Sequence, residues 1–317
     1  MLLQVGFDIG GTNIAVGVVD DDMRIVARRS VPFPTGEPYE KTVAAMASLV
    51  EALAQEMRVP VEEFRSIGLV VPGSIDTACE SVLHAFNLQF HHIPLRREMQ
   101  KHFPQIPVYL ANDANGAALA ELHAGAFRGC KTAVLITLGT GIGGGLILGG
   151  RMFNGGLNHG VELGHMVLVD GGPLCTCGVH GCIESVCTST WLIQQGRRSV
   201  IDYPNAMICT KAGGNMDRVD AKLVIDCART GDAIAADIFE QYVDHLGSAV
   251  TSIINLLDPE VIALGGGVSN AGEFLFGPVR ENVRKKCFFE EYGSIVHAQL
   301  GNDAGIVGAA MLARNEL

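Results

Sequence analysis

Basic residues are scarce in this chain: 23 Lys and Arg stand against 34 Asp and Glu among 317 residues, a formal charge of −11. That deficit argues against a nucleic-acid partner held through counterion release from phosphates. The short basic clusters Arg96-Arg97, Arg197-Arg198 and Arg284-Lys285-Lys286 read as solvated helix ends. Charge of either sign is sparse, at 18% against 48% hydrophobic, so a large core can be buried and a mainly disordered chain is excluded. No secretory leader is recognisable in MLLQVGFDIG, which lacks a basic stretch and is interrupted by Asp8. The expected compartment is the cytoplasm, where nine cysteines are read as metal ligands before disulfides. A true membrane span is missing as well. Residues 132–150 carry no charge, but seven of those 19 are Gly, each costing about 1 kcal/mol inside a helix. Strand, turn, strand is the reading there, with no membrane partner.

What is plentiful is glycine, 39 residues, about one in eight where roughly 7% is usual. With no collagen period, these glycines belong in tight turns and close backbone approaches. Strands are expected at 4–9, 14–19, 25–31, 67–71, 108–111, 133–138, 146–148 and 261–264. Helices are expected at 39–56, 115–127, 233–257, 274–286 and 305–314. Asp20-Asp21-Asp22 reads as a solvated turn. The strand, DIGGTN turn and strand at the start are mirrored by strand, GTGIGGG turn and strand in the second half. This is an internal pseudo-repeat, and alternating strands and helices make an α/β protein of two lobes with a cleft between them.

Neither glycine loop is a dinucleotide fingerprint, since each joins two strands, and neither carries the Gly-Lys-Ser/Thr of a Walker loop. Both still let backbone N–H groups approach phosphate oxygens. In DIGGTN, Gly10 and Gly11 leave that approach open, Thr12 and Asn13 add donors, and Asp8 suits Mg²⁺ or its water. In TLGTGIGGG, Thr140 and Gly141 suit a second phosphate, and a third glycine triplet, 265–267, follows a strand. Together they favour nucleotide binding.

Cys175, Cys177 and Cys182 lie within eight residues, and with one imidazole they make a closed tetrahedral Zn²⁺ site of structural type. His165 and His180 both compete for the fourth place. Gly178 and Gly181 permit the turn that returns Cys182 to its partners. The remaining six cysteines lack such spacing and read as core or surface thiols. Asp113, opening a helix just after a strand, suits a helix cap as well as a base. With Asn112, Glu162, His165 and Glu184 it gives a polar set fit for a ligand with many hydroxyls.

DIGGTN, NDAN at 112–115, GTGIGGG at 139–145, ELGH at 162–165, CTCGVHGCIE at 175–184, ALGGGVS at 263–269 and DAGIVGAA at 303–310 together resemble the ROK family (repressor, open reading frame, kinase), within it the bacterial sugar kinases. The resemblance implies an actin/hexokinase/Hsp70-like ATPase fold with ribonuclease H-like lobes. Their extents would be 1–118 and 119–302, with a zinc loop at 165–184 and a helix at 303–317 packing back on the first lobe. It implies that Asp113 is the catalytic base and that Gly73, Asn87, Asn112, Glu162, His165 and Glu184 contact sugar. Gly266 and Gly267 would join the two glycine turns in holding ATP with Mg²⁺. His165, and not His180, would complete the zinc ligands, one ring nitrogen serving the metal. Val161 and the VCTSTW stretch after Glu184 depart from common family residues beside the sugar pocket, which bears on the sugar and not on the reaction.

The implied reaction is ATP-dependent phosphorylation of a hexose, glucose at O6, by a homodimer. N-acetylmannosamine, fructose, mannose and allose are the alternative acceptors, and polyphosphate is an alternative donor. A sugar-responsive repressor is disfavoured, because the DIGGT loop begins at Asp8 and leaves no room for a preceding DNA-binding domain.

Overall fold

The structure, a computed structural model, describes residues 2–157 and 159–315. Strands β1 (Leu3–Ile9) and β2 (Asn13–Val19) flank the first glycine turn, and β3 (Ile25–Pro32) follows. Helix α1 (Tyr39–Met57) leads to β4 (Phe64–Val71). Then β5 (Ser74–Ile75), β6 (Val82–Ala85) and β7 (Phe90–Ile93) make a small sheet that hydropathy alone does not reveal. Helix α2 (Leu95–His102), β8 (Val108–Asn112) and α3 (Asp113–Ala124) come next. The second glycine turn joins β9 (Thr132–Leu138) to β10 (Ile142–Leu148), with β11 (Arg151–Met152) after it. Five helices follow: α4 (Ile183–Val186), α5 (Ser189–Asp202), α6 (Met207–Ala212), α7 (Ala221–Arg229) and α8 (Ala233–Leu257). The chain ends through β12 (Val261–Gly265), α9 (Glu273–Lys286), β13 (Ser294–His297) and α10 (Ala304–Asn315).

The two large sheets share one plan. One has the order β3-β2-β1-β4-β8 and the other β11-β10-β9-β12-β13. In the first, β1 runs antiparallel to β2 and parallel to β4. In the second, β12 runs parallel to both β9 and β13. The chain divides into two compact units, one of Met1–Lys131, Gly145–Val161 and Gln299–Leu317, the other of Thr132–Gly144 and Glu162–Ala298. Position 118/119 falls inside α3, a single helix whose Gly116 and Ala118 are packed in the first unit's interior. The second turn is also shorter than GTGIGGG suggests, because Gly143, Gly144 and Gly145 lie in β10. A Cβ on Gly144 would crowd Leu163, and one on Gly145 would crowd Ala114 and Ala118. Of the helix expected at 303–317, residues 316 and 317 lie outside the described residues.

In the first unit, β1 buries Val5, Phe7 and Ile9 completely, as β4 does Ile67 and Leu69. Each such side chain contributes about 1.5–3 kcal/mol by leaving water. Helix α10 packs on β1, β2, β4, β8 and α3. It comes close enough that a Cβ on Gly6 would strike the Ile306 carbonyl, one on Gly68 the Ala309 carbonyl, and one on Gly308 the Gly116 carbonyl. Small residues in the run GIVGAA are thus packing requirements. Glu121, 1% exposed, accepts the N–H groups of Gln299 and Leu300 at 2.7 and 2.9 Å and of Ala126 at 2.7 Å. Asp20 is buried, not solvated: its Oδ1 accepts the N–H groups of Asp22 and Arg24, both at 2.9 Å.

In the second unit, α8 packs against α4, α5, α7 and α9. Asp232 caps it through Ile234 and Ala235 and also accepts the Ile208 N–H at 2.6 Å. Asp258, in the left-handed conformation, ends it just before Pro259. Among the described residues no helix is long and apolar enough to cross a membrane.

Candidate active site

In the first unit the β1–β2 turn closes through a hydrogen bond from the Gly10 N–H to the Asn13 carbonyl at 2.9 Å. Thr12 and Asn13 are exposed, with their side chains free of the core. Asp8 is the sixth residue of β1, opposite Ala15 of β2. Burial pushes its carboxyl pKa up. Gly305, at the start of α10, abuts that carboxyl so closely that any Cβ would strike it. The role of Gly305 was not foreseen; its signal was a second glycine three residues before Gly308 in an otherwise helical run.

Asn87 sits in the single turn between β6 and β7, where its backbone lies against Gly11. Asn112, the last residue of β8, does two jobs. Its Nδ2 donates to the Gly73 carbonyl at 2.9 Å, and its Oδ1 accepts the N–H groups of Ala114 at 2.8 Å and Asn115 at 3.4 Å. That makes Asn112 the cap of α3 and corrects the cap reading of Asp113, which is the first residue inside the helix. Asp113 is exposed, and its Oδ1 accepts the Ala114 N–H at 2.8 Å. Gly11 thus meets Asn87, and Gly73 meets Asn112 beside Asp113.

In the second unit, Thr140 and Gly141 form the bend between β9 and β10. The Thr140 carbonyl accepts the Thr190 hydroxyl at 3.2 Å, and the Gly139 carbonyl accepts the Ser189 N–H at 2.8 Å. Thr137, sixth in β9 as Asp8 is in β1, accepts the Gly143 N–H at 3.0 Å. Gly266 has φ +81° and packs on the Leu138 backbone, where a side chain would both strain and collide. It follows the end of β12 and adjoins Gly267, both exposed.

Glu184 joins the bend to the cysteine loop. Its Oε2 accepts the Ile142 N–H at 3.0 Å, and its Oε1 accepts the Thr176 hydroxyl at 3.0 Å. Glu162 precedes the short turn 163–165, its carbonyl taking the His165 N–H at 3.1 Å.

The donor atoms of His165, Cys175, Cys177 and Cys182 all lie within 4.8 Å of one another. His180 is held elsewhere, its Nδ1 at 2.9 Å from the Gly172 carbonyl. Gly181, at φ +79°, would drive any Cβ into the Val169 carbonyl, so the return of the loop to Cys182 requires glycine. Burial first, then hydrogen bonding with the neighbouring thiols, pushes the Cys182 pKa up, while the Val179 backbone pulls that of Cys177 down. Three thiols and an imidazole facing one point fit a four-coordinate zinc, which would hold the sulfurs as thiolates.

Known proteins resemble this chain along its whole length. A glucokinase of Thermotoga maritima is 35% identical, covering 100% of this chain and 98% of its own. An N-acetyl-D-glucosamine kinase of Vibrio vulnificus is 32% identical, covering 98% and 99%. Among solved structures, a ROK glucokinase from Streptomyces griseus in complex with glucose and AMPPNP superposes with a TM-score of 0.81 at 33% identity, covering 98% of this chain and 99% of that one. The paired sheets are accordingly those of the actin/hexokinase-like ATPase fold. With residues 4–316 also matching the ROK family pattern, the chain belongs to the ROK family.

Proposed function

We propose that this chain is a sugar kinase that moves the γ-phosphoryl group of ATP to a hexose, glucose at O6. The observation that carries the reading is the pair Asn112–Asp113. Asn112 takes over the helix cap, so Asp113 keeps an exposed carboxylate at a fixed position at the head of α3. That carboxylate accepts the hydroxyl proton as the sugar oxygen attacks phosphorus, a role worth about 10²–10⁴ in rate. Gly73, Asn87, Asn112, Glu162, His165 and Glu184 are the residues proposed to bind sugar hydroxyls. Asp8, Gly10, Gly11, Thr12 and Asn13, with Thr140, Gly141, Gly266 and Gly267, hold the nucleotide.

Mg²⁺ carried with ATP neutralises charge on the phosphoryl oxygens, and Asp8 is the residue that would hold it or its water. Zinc would be held by His165, Cys175, Cys177 and Cys182 and would fix the loop whose Thr176 steadies Glu184. The full-length likeness to a glucokinase supports glucose; the likeness to an N-acetyl-D-glucosamine kinase keeps other hexoses in view. Homodimer assembly and a cytoplasmic setting belong to the same proposal.

The test is Mg·ATP-dependent ADP release across hexoses and N-acetylhexosamines, with Asp113→Asn as control. Turnover of glucose above the others, lost in the variant, is the expected result. No turnover of any sugar by zinc-loaded protein would overturn the kinase reading. Sedimentation of the same protein tests the dimer.

A further inference from the structure

A second cluster of metal-binding side chains lies on the small sheet of the first unit. His84 of β6 and His91 of β7 are cross-strand partners in the antiparallel pair. Their Nδ1 atoms are 3.1 Å apart and both rings are exposed. Two neutral imidazoles facing each other through the same ring nitrogen must adopt one donor and one acceptor tautomer, or share a cation between two lone pairs. Two nitrogens bound at 2.0–2.1 Å to one ion stand about 2.8–3.4 Å apart at octahedral or tetrahedral angles. The observed spacing falls inside that range.

The surroundings hold the pair in place. His92 has φ +52°, which breaks the strand's alternation, and its ring packs edge-on against His84 at 5.5 Å between centroids. Phe86, 83% exposed, lies nearly parallel to the His84 ring at 6.3 Å between centroids. The His84 carbonyl, meanwhile, lies against Gly73, which tolerates no Cβ there.

We propose that His84 and His91 form a surface site for a late divalent transition metal such as Zn²⁺ or Ni²⁺, with water completing the shell. The bound ion ties together the two ends of the loop 85–90 and so pins the turn that carries Asn87. The metal site stands on the histidine geometry alone; only its bearing on sugar binding rests on the role proposed for Asn87.

Ni²⁺ titration by calorimetry of the zinc-loaded protein tests the site, with zinc content followed by elemental analysis. One Ni²⁺ bound beyond the retained zinc is expected, weakened at least about tenfold in both His84→Asn and His91→Asn. Hydrogen exchange in residues 85–90 should slow on adding Ni²⁺ to the unsubstituted chain and stay unchanged in the variants. Absence of added binding, or binding in both variants as tight as in the unsubstituted chain, would overturn the site; binding without slowed exchange would overturn the pinning. Glucose turnover by the variants without added metal tells this result apart from a failure of the kinase reading, since neither histidine is placed in the catalytic or binding machinery.

Discussion

The two glycine hairpins follow one plan but differ in charge. In β1 the sixth residue is Asp8, half-buried, its carboxyl pKa raised by the loss of water. In β9 the sixth residue is Thr137, which settles the Gly143 N–H at no cost in charge. Sheet order and strand length are the same in both, so packing does not require a carboxylate at this position. A half-buried carboxylate kept where a hydroxyl serves the fold equally well is a mark of function. The units also differ in how they hold their exposed polar groups. The first uses backbone capping, with Asn112 steadying the start of α3; the second uses a cysteine loop linked to the glycine bend through Glu184.

The largest effect should come from Asp113. Replacing it with Asn is expected to lower kcat by about 10²–10⁴ while calorimetry shows sugar still bound. The fold should hold, because Asn112 and not Asp113 caps α3. Near-normal turnover would take the base out of the first unit and dissolve the contrast in roles. Zinc removal should strike the second unit instead. Chelation is expected to lower Tm and sugar affinity together, since Thr176 and Glu184 lose their shared support. If both survive in protein shown by elemental analysis to be free of zinc, the cysteine loop is not what holds Glu184.

A smaller effect separates the two sixth positions directly. Thr137→Val removes the acceptor for the Gly143 N–H and should cost about 1 kcal/mol in urea unfolding. Stability unchanged by that substitution would mean the hydroxyl is replaceable by water, and the comparison with Asp8 would lose its second term.

Much of this was legible in the sequence because it rests on local rules. Helix 233–257 is bounded by a good cap at Asp232 and by Asp258-Pro259, and its apolar stripe is long. The cysteine cluster could be read because its ligands lie close in the chain, and the first hairpin because β-branched runs flank it. What was not legible depends on distant neighbours. Residues 143–145 lie in β10, where Leu163 leaves no room for a Cβ at 144 and Ala114 and Ala118 leave none at 145, while the motif itself reads as a turn. The small sheet β5-β6-β7 is too short to show a period, yet it carries Asn87 and the histidine pair. The capping of α3 by Asn112 was hidden because Asn and Asp are equally good caps, and only the hydrogen bonds to Ala114 and Asn115 decide between them.

The smallest effect is also the most discriminating. Asp8→Asn removes a charge that the folded state disfavours, so without Mg²⁺ it should raise Tm slightly at neutral pH, opposite in sign to Thr137→Val. The pH dependence follows from the direction of the shift. Because the folded-state pKa lies above the ordinary carboxylate value of 3.8, the native protein holds more protons than the unfolded chain between the two values. Stability therefore falls as pH rises through that window, and the penalty is complete above the folded-state pKa. The gain from Asn should be fullest at neutral pH and should vanish as pH is lowered toward 3.8. Thermal melts of both proteins across that range provide the measurement. A variant less stable than its parent at pH 7 would show that Asp8 makes stabilising contacts of its own, and the carboxylate would then be part of the fold rather than a charge held in readiness for the metal.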